Sequence, residues 1–207
     1  VTVGETAVLY CKPDAEIAST SHMHVGRSMT IYGNGAVLNG GEQDFELDTF
    51  GSKLTSDVTL TVYNLTGASA WGQRNTTYTL NINLVDCKNV GKVYLSGTSG
   101  DNNITIKNCT FDLEEMTHPS CAVYSNAPGR IVVEDCVFNG VPEPINLNNK
   151  ADPSEMQDIT IKNTVFNSCS TTELSITAGD ITWAAPIRIV SSNGAVSKVN
   201  VENCTFS

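Results

Sequence analysis

The sequence predicts an all-β solenoid, a chain wound into stacked coils of short parallel strands. Three observations carry that prediction. First, one phrase recurs. Ile104-Thr105-Ile106-Lys107-Asn108-Cys109-Thr110-Phe111 returns as Ile131-Val132-Val133-Glu134-Asp135-Cys136-Val137-Phe138 and as Ile159-Thr160-Ile161-Lys162-Asn163-Thr164-Val165-Phe166. It returns once more, just before Ser207, as Asn200-Val201-Glu202-Asn203-Cys204-Thr205-Phe206. Self-similarity of this kind is the mark of a repeat architecture. Second, the apolar residues inside each copy alternate with period two, the pattern of a strand with one buried face. Third, only 16% of the 207 residues are charged, while Asn, Thr and Ser crowd the chain, a composition suited to strands and turns rather than helices.

Taken from the N-terminus, residues 1–28 match the repeat poorly. Val8-Leu9-Tyr10 is expected to be a strand, and the stretch as a whole an N-terminal cap with the first strands. A solenoid needs such a cap, because its first coil exposes unpaired backbone. From residue 29 the repeat holds to residue 207. Its first strand carries the apolar pairs Met29/Ile31, Leu60/Val62, Ile82/Leu84, Ile104/Ile106, Ile131/Val133, Ile159/Ile161 and Val199/Val201. Each pair is followed, after one residue, by an anchor: Gly33, Asn64, Asp86, Asn108, Asp135, Asn163 or Asn203. Successive anchors lie 31, 22, 22, 27, 28 and 40 residues apart, so the basic coil is 22 residues and the excess is loop insertion rich in Gly, Ser, Asn and Pro.

A second strand follows each anchor, as in Cys109-Thr110-Phe111, and a third follows a variable gap. The third strands are Phe45-Glu46-Leu47, Val93-Tyr94-Leu95, Cys121-Ala122-Val123-Tyr124, Pro144-Ile145-Asn146-Leu147 and Pro186-Ile187-Arg188-Ile189. Two single helical turns are also expected, at Leu113 to Met116 behind Asp112 and at Pro153 to Met156 behind Asp152, each with a Glu placed as in a capping box. Three short strands per turn of 22 residues make a coil, each stacked on the next at the strand spacing of about 4.8 Å.

With Met29-Thr30-Ile31-Tyr32-Gly33-Asn34-Gly35-Ala36-Val37-Leu38 as its opening coil, the repeat resembles the right-handed parallel β-helix of the pectin-lyase-like superfamily. The resemblance covers residues 29–207. It implies a single-stranded right-handed parallel β-helix of about seven coils, with three short parallel sheets. It also implies a tight bend at Asn64, Asp86, Asn108, Asp135, Asn163 and Asn203, in the left-handed conformation that Asn and Asp tolerate, with their side chains laddered from coil to coil. The chain stops at Phe206-Ser207, inside a repeat. The expectation is a β-helix truncated before its native C-terminal cap, with further domains or a partner chain over that edge.

Composition narrows the partners. A net charge of −10 argues against nucleic acid and anionic membrane surfaces, and against acidic polysaccharide unless a cation bridges it. No apolar run approaches the roughly 18 residues of a membrane span. Seven cysteines cannot all pair within the chain, and no Cys-x-x-Cys occurs. Cys87, Cys109, Cys136 and Cys204 share one register, which predicts a buried column of free thiols rather than a disulfide framework.

Function is expected on the parts that do not repeat. On the third strands, residues alternate in and out. With Val93, Leu95, Ile145, Leu147, Ile187 and Ile189 inward, Tyr94, Asn146 and Arg188 face outward, and Ala122 and Glu46 are expected in the same row. A Tyr, an Asn and an Arg on one face suit a sugar, against the alternative of a plain solvated face. The resemblance implies that loops beside this face flank a saccharide, and that Arg188 is a candidate base in a lyase. His118 is the candidate acid–base residue, and Trp183, leading into the Arg188 strand, a better sugar platform than Trp71. His22 and His24 suit a metal by spacing but lack a third ligand. Asp152, Glu155 and Asp158 are candidate ligands for Ca²⁺, against a solvated acidic loop; no other cofactor is expected. No Gly-His-Gly loop or Asp-Asp pair marks a hydrolase of the polygalacturonase kind.

Three functions compete. The first is a secreted or cell-surface carbohydrate-binding or adhesive domain, a location implied by the resemblance. The second is a divergent polysaccharide lyase or glycoside hydrolase acting near Arg188. The third is a structural shaft.

Overall fold

The computed structural model of the chain describes residues 6–18, 22–39, 45–47, 54–73, 77–97, 100–113, 121–150, 155–170, 176–178, 181–183, 185–192 and 194–207. Of Gln73 and of residues 176–178 and 181–183 it describes the backbone alone. Among the described residues the strands number β1 to β23 along the chain.

Eight of them form one long sheet. They are β1 (Ala7–Tyr10), β4 (Met29–Tyr32), β7 (Val58–Tyr63), β9 (Leu80–Val85), β11 (Asn102–Lys107), β14 (Gly129–Glu134), β17 (Met156–Lys162) and β22 (Val196–Glu202), neighbours in that order. Seven form a second sheet: β3 (Met23–His24), β6 (Phe45–Leu47), β8 (Ala70–Gln73), β10 (Val93–Ser96), β13 (Val123–Ser125), β16 (Ile145–Asn149) and β21 (Ile187–Ser191), again in chain order. The third face begins as the pair β2 (Glu16–Ala18) and β5 (Val37–Asn39). It continues through parallel bridges from Val37 to Thr66 and from Thr66 to Lys88. It ends as a four-stranded sheet of β12 (Thr110–Asp112), β15 (Val137–Asn139), β18 (Val165–Asn167) and β23 (Thr205–Phe206). β19 (Ile176–Ala178) and β20 (Ile181–Trp183) pair antiparallel with each other as an insertion before β21. The chain is therefore a parallel β-helix, as its repeat predicts.

The repeat also reaches further back than residue 29. β1 lies parallel to β4 in full register, Ala7 against Met29 and Tyr10 against Tyr32. β2 and β3 join the other two faces, so the stretch expected to hold the cap and first strands lays down a coil of its own. Met156, expected in a helical turn, opens β17 instead, and Glu155 before it lies in no regular element; the start of that turn, and most of the one after Asp112, fall outside the described residues.

Backbone geometry explains the corner. Asn64, Asp86, Asn108, Asp135, Asn163 and Asn203 all hold φ between 47° and 57°, the left-handed region that costs other side chains most. In the second coil the left-handed residues are Asn34 and Gly35, one step past the Gly33 anchor. Side chains then tie the corners together. Asn108 Nδ2 donates to Asp86 Oδ1 at 2.7 Å, Asn163 Nδ2 to Asp135 Oδ1 at 3.0 Å, and Asn203 Nδ2 to Asn163 Oδ1 at 3.4 Å.

Inside the coil, like residues stack on like. The Ile and Leu pairs of the long sheet are fully buried from Leu60 to Ile161. Phe111, Phe138, Phe166 and Phe206 form a column with ring centroids 4.5, 5.2 and 5.0 Å apart. Cys87, Cys109, Cys136 and Cys204 line up beside it as free thiols, each donating to the carbonyl two residues back at 3.2 to 3.5 Å. At both ends the same columns come to the surface: Leu9 is 51% exposed, Val199 46% and Phe206 54%.

Candidate functional site

The second sheet sets one outward side chain per coil in line. Pairing runs His24 to Glu46, Glu46 to Trp71, Trp71 to Tyr94, Tyr94 to Tyr124, Tyr124 to Asn146 and Asn146 to Arg188. The row follows from strand alternation, since each member sits between inward neighbours such as Val93 and Leu95 or Ile145 and Leu147, all fully buried. Three of the expected members, Tyr94, Asn146 and Arg188, are thus brought into one line, and Glu46 joins them.

Ala122 does not. It is fully buried in the bend before β13, and Tyr124 takes the place expected for it. The reason is a register two residues later than expected: Val123 and Ser125 point in, so Tyr124 must point out. Trp71, the lesser platform candidate, lies on β8 within the row, next to Tyr94. Its inward neighbour Gly72 makes this possible. A Cβ on Gly72 would stand 2.7 Å from the Leu47 carbonyl oxygen and 3.0 Å from Leu95 Cδ2, so no larger residue fits beneath the tryptophan. Trp183 lies on β20, its backbone opposite Ile176, and its side chain is outside the described set. His118 and Asp152 also lie outside the described residues.

The row has three zones. At its N-terminal end Glu46 is 6% exposed, with His24 Nδ1 3.0 Å from Oε2 and His22 Nε2 3.8 Å from Oε1. In the middle stand the aromatic rings. Lys92, itself buried, holds Nζ 6.0 Å from the centre of the Trp71 ring, and His22 tilts against the same indole at 6.5 Å. Tyr94 and Tyr124 stack at 4.4 Å, so each spends one face on the other. Burial raises both phenols, Tyr124 to about 12, with Tyr94 and Cys121 adding to the effect and a bond to Asn126 opposing it.

At the C-terminal end three polar groups form a relay. Arg188 Nη1 donates to Asn146 Oδ1 at 3.2 Å, and Asn146 Nδ2 donates to Glu143 Oε2 at 2.9 Å. Glu143 is only 3% exposed, and its Oε1 is buried without a hydrogen-bond partner. Burial raises its carboxyl above the ordinary value; the bond from Asn146 and the nearby Arg188 charge pull it part of the way back. The Cys121 thiol beside it is raised strongly, by burial first and by Glu143 second.

Of the two described metal candidates, neither gathers a ligand set. Asp158 sits on β17, 3.7 Å from Lys198 Nζ, and the Glu155 carbonyl accepts from Asn149 Nδ2 at 3.2 Å. Among the described residues no three His, Cys, Asp or Glu side chains converge on a point. His22, His24 and Glu46 come nearest, as one carboxylate between two rings.

The long sheet also carries a trough of about 420 Å³, between Thr105, Val132 and Thr160 on one row and Lys107, Glu134, Lys162 and Glu202 on the next. Its charges alternate in sign, Lys107 bonding Glu134 at 2.8 Å, and it has no aromatic lining. The second-sheet row is the richer site chemically.

Sequence reasoning ranked Trp71 below Trp183 and missed Tyr124, Glu143 and Lys92 as site residues. The like pairing of Tyr94 with Tyr124 was the available signal for one of them. Glu143 had none, since it precedes β16 outside the alternating pattern.

No family model, curated protein or solved structure matches the chain.

Proposed function

We propose that the chain is a carbohydrate-binding domain that holds a glycan along the second-sheet row, as part of a secreted or cell-surface protein of the pectin-lyase-like superfamily. The observation that carries this is the unbroken line Trp71–Tyr94–Tyr124–Asn146–Arg188, one residue per coil. Coils rise about 4.8 Å each, close to the length of a pyranose ring, so a saccharide chain laid along the axis meets a new side chain at nearly every residue. Trp71 offers an indole to the sugar's C–H face. Tyr94 and Tyr124, stacked on each other, offer ring edges and hydroxyls. Arg188 supplies directed N–H groups, held in place by the buried Asn146.

Among the described residues, the spacing of acids along the row favours binding over hydrolysis. Glu46 and the Asn146–Glu143 pair stand four strands apart in the sheet, about 19 Å at the usual strand spacing. Paired catalytic carboxylates of glycosidases lie about 5 to 9.5 Å apart. Further domains or a partner chain over the exposed Val199, Val201 and Phe206 belong to the same proposal.

The test is a glycan screen followed by titration. Wild-type protein is expected to bind a defined oligosaccharide class, with Trp71→Ala and Arg188→Ala each weakening it by at least about tenfold while the circular dichroism spectrum stays the same. Unsaturated product or new reducing ends in the same incubation, with or without Ca²⁺, would replace this reading with an enzymatic one.

A further inference from the structure

We infer that the outward face of the long sheet docks a second copy of this chain, across a two-fold axis that runs along the coils. The face is separate from the second-sheet row, so the inference stands whether or not that row holds a glycan. Three outward rows make the face. One outer row begins with the stacked tyrosines Tyr10, Tyr32 and Tyr63, their ring centroids 4.9 and 5.2 Å apart. The same row ends as Lys107, Glu134, Lys162 and Glu202. The other outer row begins with Thr59, Asn81 and Asn103 and ends as Arg130, Asp158 and Lys198. Between them lie the short side chains of Thr105, Val132 and Thr160, the floor of the trough.

The two outer rows complement each other strand by strand. Where one is bulky the other is short, as with Tyr63 and Thr59 on β7. Where one carries an acid the other carries a base: Glu134 with Arg130 on β14, Lys162 with Asp158 on β17, and Glu202 with Lys198 on β22. Alternation along a row is accounted for by pairing between neighbouring strands, as in Lys107 with Glu134 at 2.8 Å and Lys198 with Asp158 at 3.7 Å. Opposition across a strand is not. Its members stand four residues apart, about 13 Å, and among the described residues none of these three pairs closes within the chain. Arg130, Lys162 and Glu202 make no ion pair there at all.

A two-fold axis along the coils lays the first outer row of each copy over the second outer row of the other. Each of the three acid–base pairs then forms twice, and the tyrosine ridge of each copy lies over the short Thr59 end of its mate. Such an isologous contact closes as a dimer. Eight strands at about 4.8 Å by five residues at about 3.3 Å give a face of about 600 Å², somewhat less than the roughly 800 Å² each partner gives to a standard interface. Charge permits the approach. The chain has 22 acids against 12 Lys and Arg, yet the charged end of this face sets Lys107, Arg130, Lys162 and Lys198 against only Glu134, Asp158 and Glu202, and so shows the second copy no excess of acid. The two troughs face each other and keep water between them, which makes the association weak.

The experiment is sedimentation velocity over a range of protein concentrations at low salt, with circular dichroism to check the fold of each variant. Wild-type protein is expected to show a monomer–dimer equilibrium with Kd of about 10 to 100 µM, weakened in about 0.5 M salt. Lys162→Glu sets an acid against Asp158 of the second copy, and Asp158→Lys sets a base against its Lys162. Each variant alone should self-associate at least about tenfold more weakly. Mixed in equal amounts, the two should form a heterodimer of wild-type strength, because every opposed pair again has opposite signs. The double variant Asp158→Lys/Lys162→Glu should likewise dimerise as wild type does. A wild type that stays monomeric to about 0.5 mM, single variants that dimerise unchanged, or a mixture and double variant that both stay monomeric would each overturn the inference. Association that persists in both single variants and grows past the dimer places the copies end to end through the exposed Leu9 and Val201 edges, and overturns it too.

Discussion

At the scale of single residues, the corners and the half-buried phenols carry the clearest consequences. Asn163 occupies φ 50° and links Asp135 below it to Asn203 above it. Asn163→Ala forces a Cβ-bearing residue with no compensating side-chain bond into that conformation, so a loss of about 1 to 2 kcal/mol is expected in urea unfolding. Asn163→Gly should lose less, because glycine tolerates the conformation. Tyr124 gives a pH signature. Its phenol holds its proton to about 12 in the folded chain against an ordinary 10.0. Between those values the unfolded chain has released the proton and the folded one has not, so stability falls as pH rises through that window. Tyr124→Phe should flatten the fall, as read by thermal unfolding at a series of alkaline pH values.

At the scale of elements, the strands differ in what holds them. The short strands of the third face rest on the phenylalanine column, in which Phe138 is stacked on both sides by Phe111 and Phe166. Phe138→Ala opens a cavity that neither coil can close without losing its own register, with an expected cost of about 3 to 5 kcal/mol in denaturant unfolding. The strands of the second sheet carry the row. There the inward side chains are conventional, and the outward ones vary from histidine through tryptophan to arginine. Trp71→Ala therefore separates stability from binding. It should leave unfolding within about 1 kcal/mol of wild type, as a half-buried outward residue, while abolishing most glycan affinity in the same preparation.

At the scale of the whole molecule, each coil touches only its neighbours, so stability is a sum of coil and interface terms along one axis. The middle is closed on both sides and the ends are not. Ile106 is fully buried, whereas Leu9 and Val201, on strands at the two edges of the same sheet, are 51% and 45% exposed. Amide exchange should accordingly be slowest in β9, β11 and β14 and grow faster towards β1 and β22. Uniform protection along the axis would contradict the picture of independent edges. The outward row of the second sheet runs along the same axis, with Tyr94 and Tyr124 in the middle and Arg188 near the exposed end.

Read alone, the sequence determined the scaffold. The 22-residue coil, the corner at Asn64 through Asn203, the phenylalanine and cysteine columns and the alternation of the strands were all legible. The reason is physical: these features are local and repeat, so each copy supports the reading of the others. The tertiary structure decided which outward side chains share a line. Between the corner and the third strand lie insertions of different lengths, and a strand's register across them is set by pairing with the coil below. That is why Tyr124 rather than Ala122 stands beside Tyr94, and why Trp71 joined a row that its own neighbourhood in sequence did not predict. Glu143 is the extreme case. It belongs to no strand, and its place behind Asn146 and Arg188 follows from two residues 42 positions apart being brought side by side by the winding of the chain.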